Sequence, residues 1–341
     1  MLDKNGARRD RPPRIGEEPR DVTQALFHGL EQGSAKRAGA RAMIENPIPW
    51  PEGKRCAVAI TFDVDVESLL HVNFRETAPT RIALSTMFRY DVLVAVPRIL
   101  DIFRRYDLRQ TFFVPGWCAE TYPAAFEAVL AAGHEIGHHG YLHKRPNLQT
   151  RDEEAESLGL GIEALVRLTG KRPTGFRAPA FAFSQNTLEL LQAEGFAYDA
   201  SLMGGDVPYL IGNDRGDLVE LPSDFVLDDW MQYVCLSDFN YTLPIASPQR
   251  AMEVFRAEFD AAWKHGGLWI SVWHPFVSAR LSRAEAMVEL IEHMHEKGGV
   301  WFAPLEEIAA HVRSVVASGA WTPRRDTLPF WPEPRPADAP V

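Results

Sequence analysis

CAVAITFDVD, residues 56–65, is an apolar run of strand type that stops at two carboxylates. Its β-branched and aromatic side chains favour an extended chain, and the acidic end marks where the strand leaves the core. Runs of the same kind recur as LRQTFFVPG, HEIGHHG, TGFRAPAF, FAYDASL, LVELPSDF, LWISVWHP and VWFAPL, each bounded by Gly, Pro or Asp. Between them lie segments of helical period. Over Asp91–Tyr106, for example, Val92, Val96, Ile99, Phe103 and Tyr106 share one face. Others run from about Tyr122 to Ala132, Arg151 to Thr169, Ser184 to Glu194, Ser247 to His265 and Ser282 to Lys297. Such alternation predicts a parallel α/β fold, a barrel rather than an open sheet. In a barrel, chemistry gathers where strands end and loops begin. The polar residues at those ends are Asp63, Asp65, a histidine cluster, Arg177, Asp199 and His274.

Each of these has a physical reading. Strand alternation puts Asp63 and Asp65 on one face, where two carboxylates repel unless a cation lies beside them. Capping by one and solvation of the other is the plain alternative. The stretch AAGHEIGHHGYLHKRP, residues 131–146, holds four of the chain's 11 histidines. A strand through His134–His138 separates that pair by roughly 13 Å, too far for one metal. His139 and His143 lie past the strand end, and Gly140 permits the turn that brings them together. Two imidazoles, one carboxylate and an open position describe a catalytic zinc-type site. His274 closes another apolar strand, with Pro275 holding it extended, and in this company it suits a proton donor. Arg177 and Asp199 sit in apolar surroundings and need charged partners; structural ion pairing is the alternative for both.

The composition bounds what else the chain can be. With 341 residues, 46% of them hydrophobic, it can bury a large core. A net charge of −10 without a block of like charges lacks the footprint of a nucleic-acid binder. The N-terminus has no apolar signal segment and no stretch is long enough to span a bilayer, so a cytoplasmic protein without membrane attachment is expected. Cys56, Cys118 and Cys235 are too few and too widely spaced for a disulfide framework and read as buried apolar residues. Three regions are expected: an arm over 1–45, weakly helical around DVTQALFHGLEQ, a catalytic barrel over 46–320, and an extended Pro-rich tail over 321–341.

Together TFDVD, HHGYLH, FRAP, DASLM and WHP resemble the polysaccharide deacetylase superfamily, the NodB-homology or carbohydrate esterase family 4 group, over roughly Arg55 to His311. The resemblance implies a distorted (β/α)7-type barrel and a divalent metal, usually zinc. By motif, Asp63 looks like the general base, Asp65, His139 and His143 like the metal ligands, and Arg177 like the residue that orients the base. Asp199 looks like the partner of the acid, and His274 like the acid itself. The chain departs from the common pattern in having Asp-x-Asp for adjacent aspartates, and Ala180 where an aromatic residue is usual. An oxyanion donor there would be the Ala180 backbone N–H. HEIGHHGYLHKRP, DASLMGGDVPY, LDDW and HPFVSARLSRAEAM look like a cytoplasmic branch of this superfamily. It includes Helicobacter-type peptidoglycan-deacetylase-like proteins, cyclic imide hydrolases and metal-independent allantoinases. That branch implies a homo-oligomer, such as a tetramer, and small C–N substrates.

The expected activity is thus metal-dependent hydrolysis of a small amide or cyclic imide. Trp230, Phe181, Phe183 and Tyr209 are candidates to line a closed pocket, with ordinary core packing as the alternative. Deacetylation of N-acetyl sugars or peptidoglycan is the second reading. A catalytically inactive member that binds a ligand or assembles is a third.

Overall fold

The computed structural model describes residues 42–331. The expected arm, except for its last residues, and the end of the expected tail lie outside the described residues. One sheet holds β1 (Cys56–Asp63), β2 (Thr111–Val114), β3 (Glu135–His138), β4 (Gly175–Phe176) and β5 (Tyr198–Asp199). It continues with β6 (Tyr209–Asn213), β7 (Gly216–Glu220), β8 (Leu268–Trp273), β9 (Val300–Phe302) and β10 (Arg325–Thr327). The order is β10-β6-β7-β5-β4-β3-β2-β1-β8, with β9 also on β1. From β7 to β8 every neighbouring pair is parallel, while β6 runs antiparallel to β7 and β10 pairs parallel to β6. This is the expected α/β architecture.

The all-apolar reading of the opening stretch has its cause in β1. Every residue of this strand is buried. β8 runs along one edge, while β9 and β2 share the other, at its beginning and its end. A strand covered in this way exposes no face for polar residues to occupy. At the far side of the sheet the segment leaving β7 reaches β8 through a single parallel bridge between Asp228 and Val272. The carboxyl ends of the parallel strands therefore converge.

Helices alternate with these strands. Arg151–Thr169 begins with a capping box in which Thr150 and Glu153 satisfy each other's backbone, and ends at a left-handed Gly170. Midway along it, Gly161 has a structural purpose: a Cβ there would lie 2.3 Å from Nε2 of His138. The helix can thus press directly against the end of β3. The expected helix over Asp91–Tyr106 instead opens with a π-helical turn, Asp91–Ala95, before Val96–Arg105 continues as α-helix.

Three expectations need correction. The Pro-rich tail was expected to form no strand, yet Arg325–Thr327 pairs with β6, and Trp321 is buried. A chain edge offers hydrogen bonds that three residues between prolines can use. FAYDASL forms strand only at Tyr198–Asp199, because its following residues turn to meet buried carboxyls. Cys235 is exposed, whereas Cys56 and Cys118 are buried.

Candidate active site

Asp63 is the last residue of β1, and Asp65 follows one residue beyond. The carbonyl of Asp65 accepts hydrogen bonds from the Ser68 amide at 3.1 Å, the Ser68 hydroxyl at 2.6 Å and the Cys118 thiol at 3.0 Å. This backbone is tightly held. The next residue, Val66, is forced to φ +48°, a costly conformation for a β-branched side chain.

The histidine run divides as its position relative to β3 demands. His134 and His138 are held by the backbone, His138 through both ring nitrogens. Nδ1 of His134 accepts from the Gln110 amide at 3.1 Å. His138 pairs through Nε2 with the Leu158 carbonyl at 3.1 Å and through Nδ1 with the Gly140 amide at 3.0 Å. Past the strand end, Gly140 at φ +72° and His143 at φ +53° turn the chain back, and the rings of His139 and His143 approach to 5.1 Å.

Asp65, His139 and His143 meet at one point. Each offers an atom, and the three atoms all lie within 4.8 Å of one another. Nδ1 of His139 is 2.7 Å from the Arg177 carbonyl. A carbonyl only accepts, so the proton sits on Nδ1 and the lone pair on Nε2. That Nε2 has no hydrogen-bond partner although it is buried, and neither has Oδ1 of Asp65, 3.6 Å away. Nε2 of His143 lies 3.5 Å from Oδ2 of the same carboxylate. Burial pushes His143 down to about 4 and lowers His139 as well, so both imidazoles are neutral at pH 7. Lone pairs facing carboxylate oxygens in a buried place are unfavourable without a cation between them. The donor set therefore fits a divalent metal of the zinc type, two imidazoles and a carboxylate.

Two further arms surround this point. Arg177, just past β4, donates to Asp63 at 2.7 Å and to Thr61 at 2.8 Å, and its Nε donates to the Ala200 carbonyl at 3.0 Å. Burial would raise Asp63, but the Arg177 guanidinium and the nearby imidazoles outweigh it and hold the carboxyl below its ordinary value. His274, just past β8, is extended as Pro275 requires, with φ −113° and ψ 127°. Its Nε2 is 3.8 Å from Asp65.

The partner of His274 is not Asp199. Nδ1 of His274 is 2.7 Å from Oδ1 of Asp229, whose Oδ2 accepts from the His274 amide at 2.9 Å and from the Ser278 hydroxyl at 2.6 Å. Burial alone would lower His274, yet Asp229 first and Asp228 next raise it well above its ordinary value. Asp199 instead binds the backbone and hydroxyl of Ser201 at 2.9 and 2.7 Å and lies against Glu220. Burial raises both of these carboxyls, and Asp199 adds its repulsion to Glu220. Asp229 was not singled out in the sequence, although it lies in the quoted LDDW.

Among the expected pocket residues, Trp230 stands edge-on to His274 with ring centroids 5.3 Å apart. Ala180 and Phe181 follow Arg177 in left-handed conformations, φ +54° and +56°, and Phe181 meets Phe225 at 5.4 Å. Phe183 packs against the cluster around Leu188 and Phe196. Tyr209 is no part of this group: it is buried in that same cluster, with the Arg324 guanidinium 4.2 Å above its ring.

The chain is similar to several known proteins. The polysaccharide deacetylase family model matches residues 52–198. A peptidoglycan deacetylase of Helicobacter pylori is 34% identical over 244 residues, 63% of this chain and 83% of that protein. A peptidoglycan deacetylase-like protein of Gibberella zeae is 27% identical, over 63% of this chain and 74% of its own. A solved Mycobacterium smegmatis protein, provisionally named a polysaccharide deacetylase, is 41% identical with a TM-score of 0.79, covering 85% of this chain and all (100%) of that one. The crystal structure of PuuE allantoinase, 23% identical with a TM-score of 0.70 over 84% of this chain and 100% of its own, shares the fold. At 34% identity over 83% of the Helicobacter pylori enzyme and 41% identity over the whole of the Mycobacterium smegmatis protein, the chain belongs to the polysaccharide deacetylase family.

Proposed function

We propose that the protein hydrolyses a C–N bond in a small amide or cyclic imide, using a divalent metal, zinc by its donor set, held by Asp65, His139 and His143. The observation that carries the metal is the unpartnered, buried Nε2 of His139 facing the unpartnered Oδ1 of Asp65 across 3.6 Å. When bound, such a cation supplies the charge that makes water acidic enough to attack at neutral pH and that stabilises a developing oxyanion.

The chain's own groups divide the proton transfers. Asp63, kept ionised by Arg177, takes the proton of the attacking water. His274, kept protonated by Asp229, gives its Nε2 proton to the departing nitrogen, which leaves poorly as an anion. Ala180 follows Arg177 by three residues in a left-handed turn, and its N–H is our choice for a second oxyanion donor.

A small substrate is supported by how far these groups are withdrawn from solvent. Asp63 is 4% exposed, Asp65 and His139 1% each and His274 8%, with Trp230 against the last. A polymer needs an open groove along its length. The second reading, deacetylation of an N-acetylated sugar, is favoured by the name of the 34% identical Helicobacter pylori relative. Purified zinc-loaded protein assayed on succinimide and hydantoin beside a chitin oligomer separates them. Turnover of an imide that EDTA abolishes and zinc restores is the expected result. Release of acetate from the oligomer with no action on either imide would reverse the order.

A further inference from the structure

We propose that Asp91 is a positioning residue that ties the two halves of the site together, the metal-ligand turn after β1 and the acid-bearing turn after β8. Asp91 is fully buried, with 0% exposure, at the start of the π-helical turn Asp91–Ala95. Its Oδ2 accepts from the amide of Val66 at 3.2 Å, and its Oδ1 accepts from the amide of Phe276. These donors lie 25 and 185 residues away in sequence, each within two positions of a site residue, Asp65 and His274.

Both ends of the link need it. Val66 holds a left-handed φ of +48° that an isolated valine avoids, so the turn directly after Asp65 relaxes unless its amide is anchored. Phe276 is the second residue of the short helix Pro275–Ser278, whose first amides have no partner inside the helix. Its ring packs edge-on to Trp230 at 6.0 Å and lies 6.3 Å from the His274 ring. Burial and the nearby Asp65 raise this carboxyl well above its ordinary value, yet a carboxyl suits the place because each of its two oxygens accepts one of the two N–H groups. An asparagine would turn an NH2 toward one of the two N–H groups and lose that end. π-Turns of this kind commonly mark functional positions, and here the widened turn begins at the residue that makes the link.

This inference rests on the metal reading above, and its test separates the two. Asp91→Asn is compared with the unsubstituted protein by hydrogen–deuterium exchange, by zinc titration against a competing chelator, and by kcat and KM on whichever of succinimide, hydantoin or the chitin oligomer the unsubstituted protein turns over. The expected result is faster exchange in both segments, 64–68 and 275–279, a zinc affinity lower by roughly 10- to 100-fold, and a similar loss in kcat with KM little changed. Faster exchange in one segment only, or zinc affinity equal to that of the unsubstituted protein, overturns it. Failure of the metal reading would show differently, as no stoichiometric zinc in the unsubstituted protein. Should the Asn variant not fold, Asp91→Ser, which removes the paired acceptors with less buried polarity, is subject to the same criteria.

Discussion

At the scale of single residues, the difference between Asp199 and Asp229 carries the most consequence. Both are buried carboxylates near strand ends, and only their contacts separate them. Asp229 grips the ring, the amide and the following turn of His274, whereas Asp199 lies against Glu220 and braces Ser201. Replacing Asp229 by Asn leaves the site shape but removes the charge that keeps His274 protonated. We expect kcat to fall by about 100-fold or more, on the scale of a lost general acid, with zinc still bound at one equivalent. Asp199→Asn should stay within about tenfold of the unsubstituted rate. Rates and zinc content of the two purified variants decide this, and a larger loss at Asp199 would return the acid's partner to it. The sequence could not have made this distinction. His139, His143, Asp65 and Arg177 were legible because each lies within five residues past the end of a strand, which is where a barrel gathers its polar groups. The Asp229 contact depends on how the segment after β7 crosses to β8, a tertiary event with no local pattern beyond the doublet in LDDW.

At the scale of elements, the two ends of the sheet solve opposite problems. At the carboxyl ends polar atoms are left without partners for a ligand to satisfy. At the amino ends they satisfy each other. Glu135 opens β3 and accepts from the Thr111 hydroxyl at 2.7 Å, the Tyr198 hydroxyl at 2.7 Å and the Glu306 amide at 3.0 Å. It thereby joins β2, β3 and β5 to the start of the helix Leu305–Ala317. Burial, with some repulsion from Glu306, raises its carboxyl from the ordinary 4.5 to about 7. The folded protein thus holds this proton where the unfolded chain has lost it. The associated stability is complete below pH 4.5, falls as pH rises through 7, and amounts to about 3 kcal/mol at 1.36 kcal/mol per unit. Glu135→Gln keeps the shape, with its NH2 able to donate to Tyr198, and does not titrate. Relative to the unsubstituted protein, the variant should therefore gain stability between pH 5 and pH 8, measured by urea unfolding with chelator present throughout. An equal difference at both pH values would refute this. Long elements such as Arg151–Thr169 were readable to the residue because capping and period agreed. β6 and β10 were not, since short strands at this end of the sheet owe their form to the neighbours they pair with.

At the scale of the whole molecule, the fold gathers the donors of the proposed cation site from loops after two strands, Asp65 after β1 and His139 with His143 after β3, separated in the sheet by β2. In the unfolded chain these donors are distant, so a cation that binds all three favours the folded state by mass action. At a free zinc concentration 100 times its dissociation constant the gain is about 2.7 kcal/mol. A shift of several degrees in the thermal midpoint follows for a chain of this size. The size of that shift should depend on which side chain is removed. His139→Ala deletes a ligand, so zinc should no longer raise the midpoint, and the variant should melt at the same temperature with or without EDTA. His274→Ala deletes a residue whose Nδ1 belongs to Asp229, so the zinc-dependent shift should persist while turnover falls. Melting curves of the three proteins with zinc and with EDTA test this. Loss of the shift in both variants would mean that His274 is itself a ligand and that the proton must reach the departing nitrogen from another group.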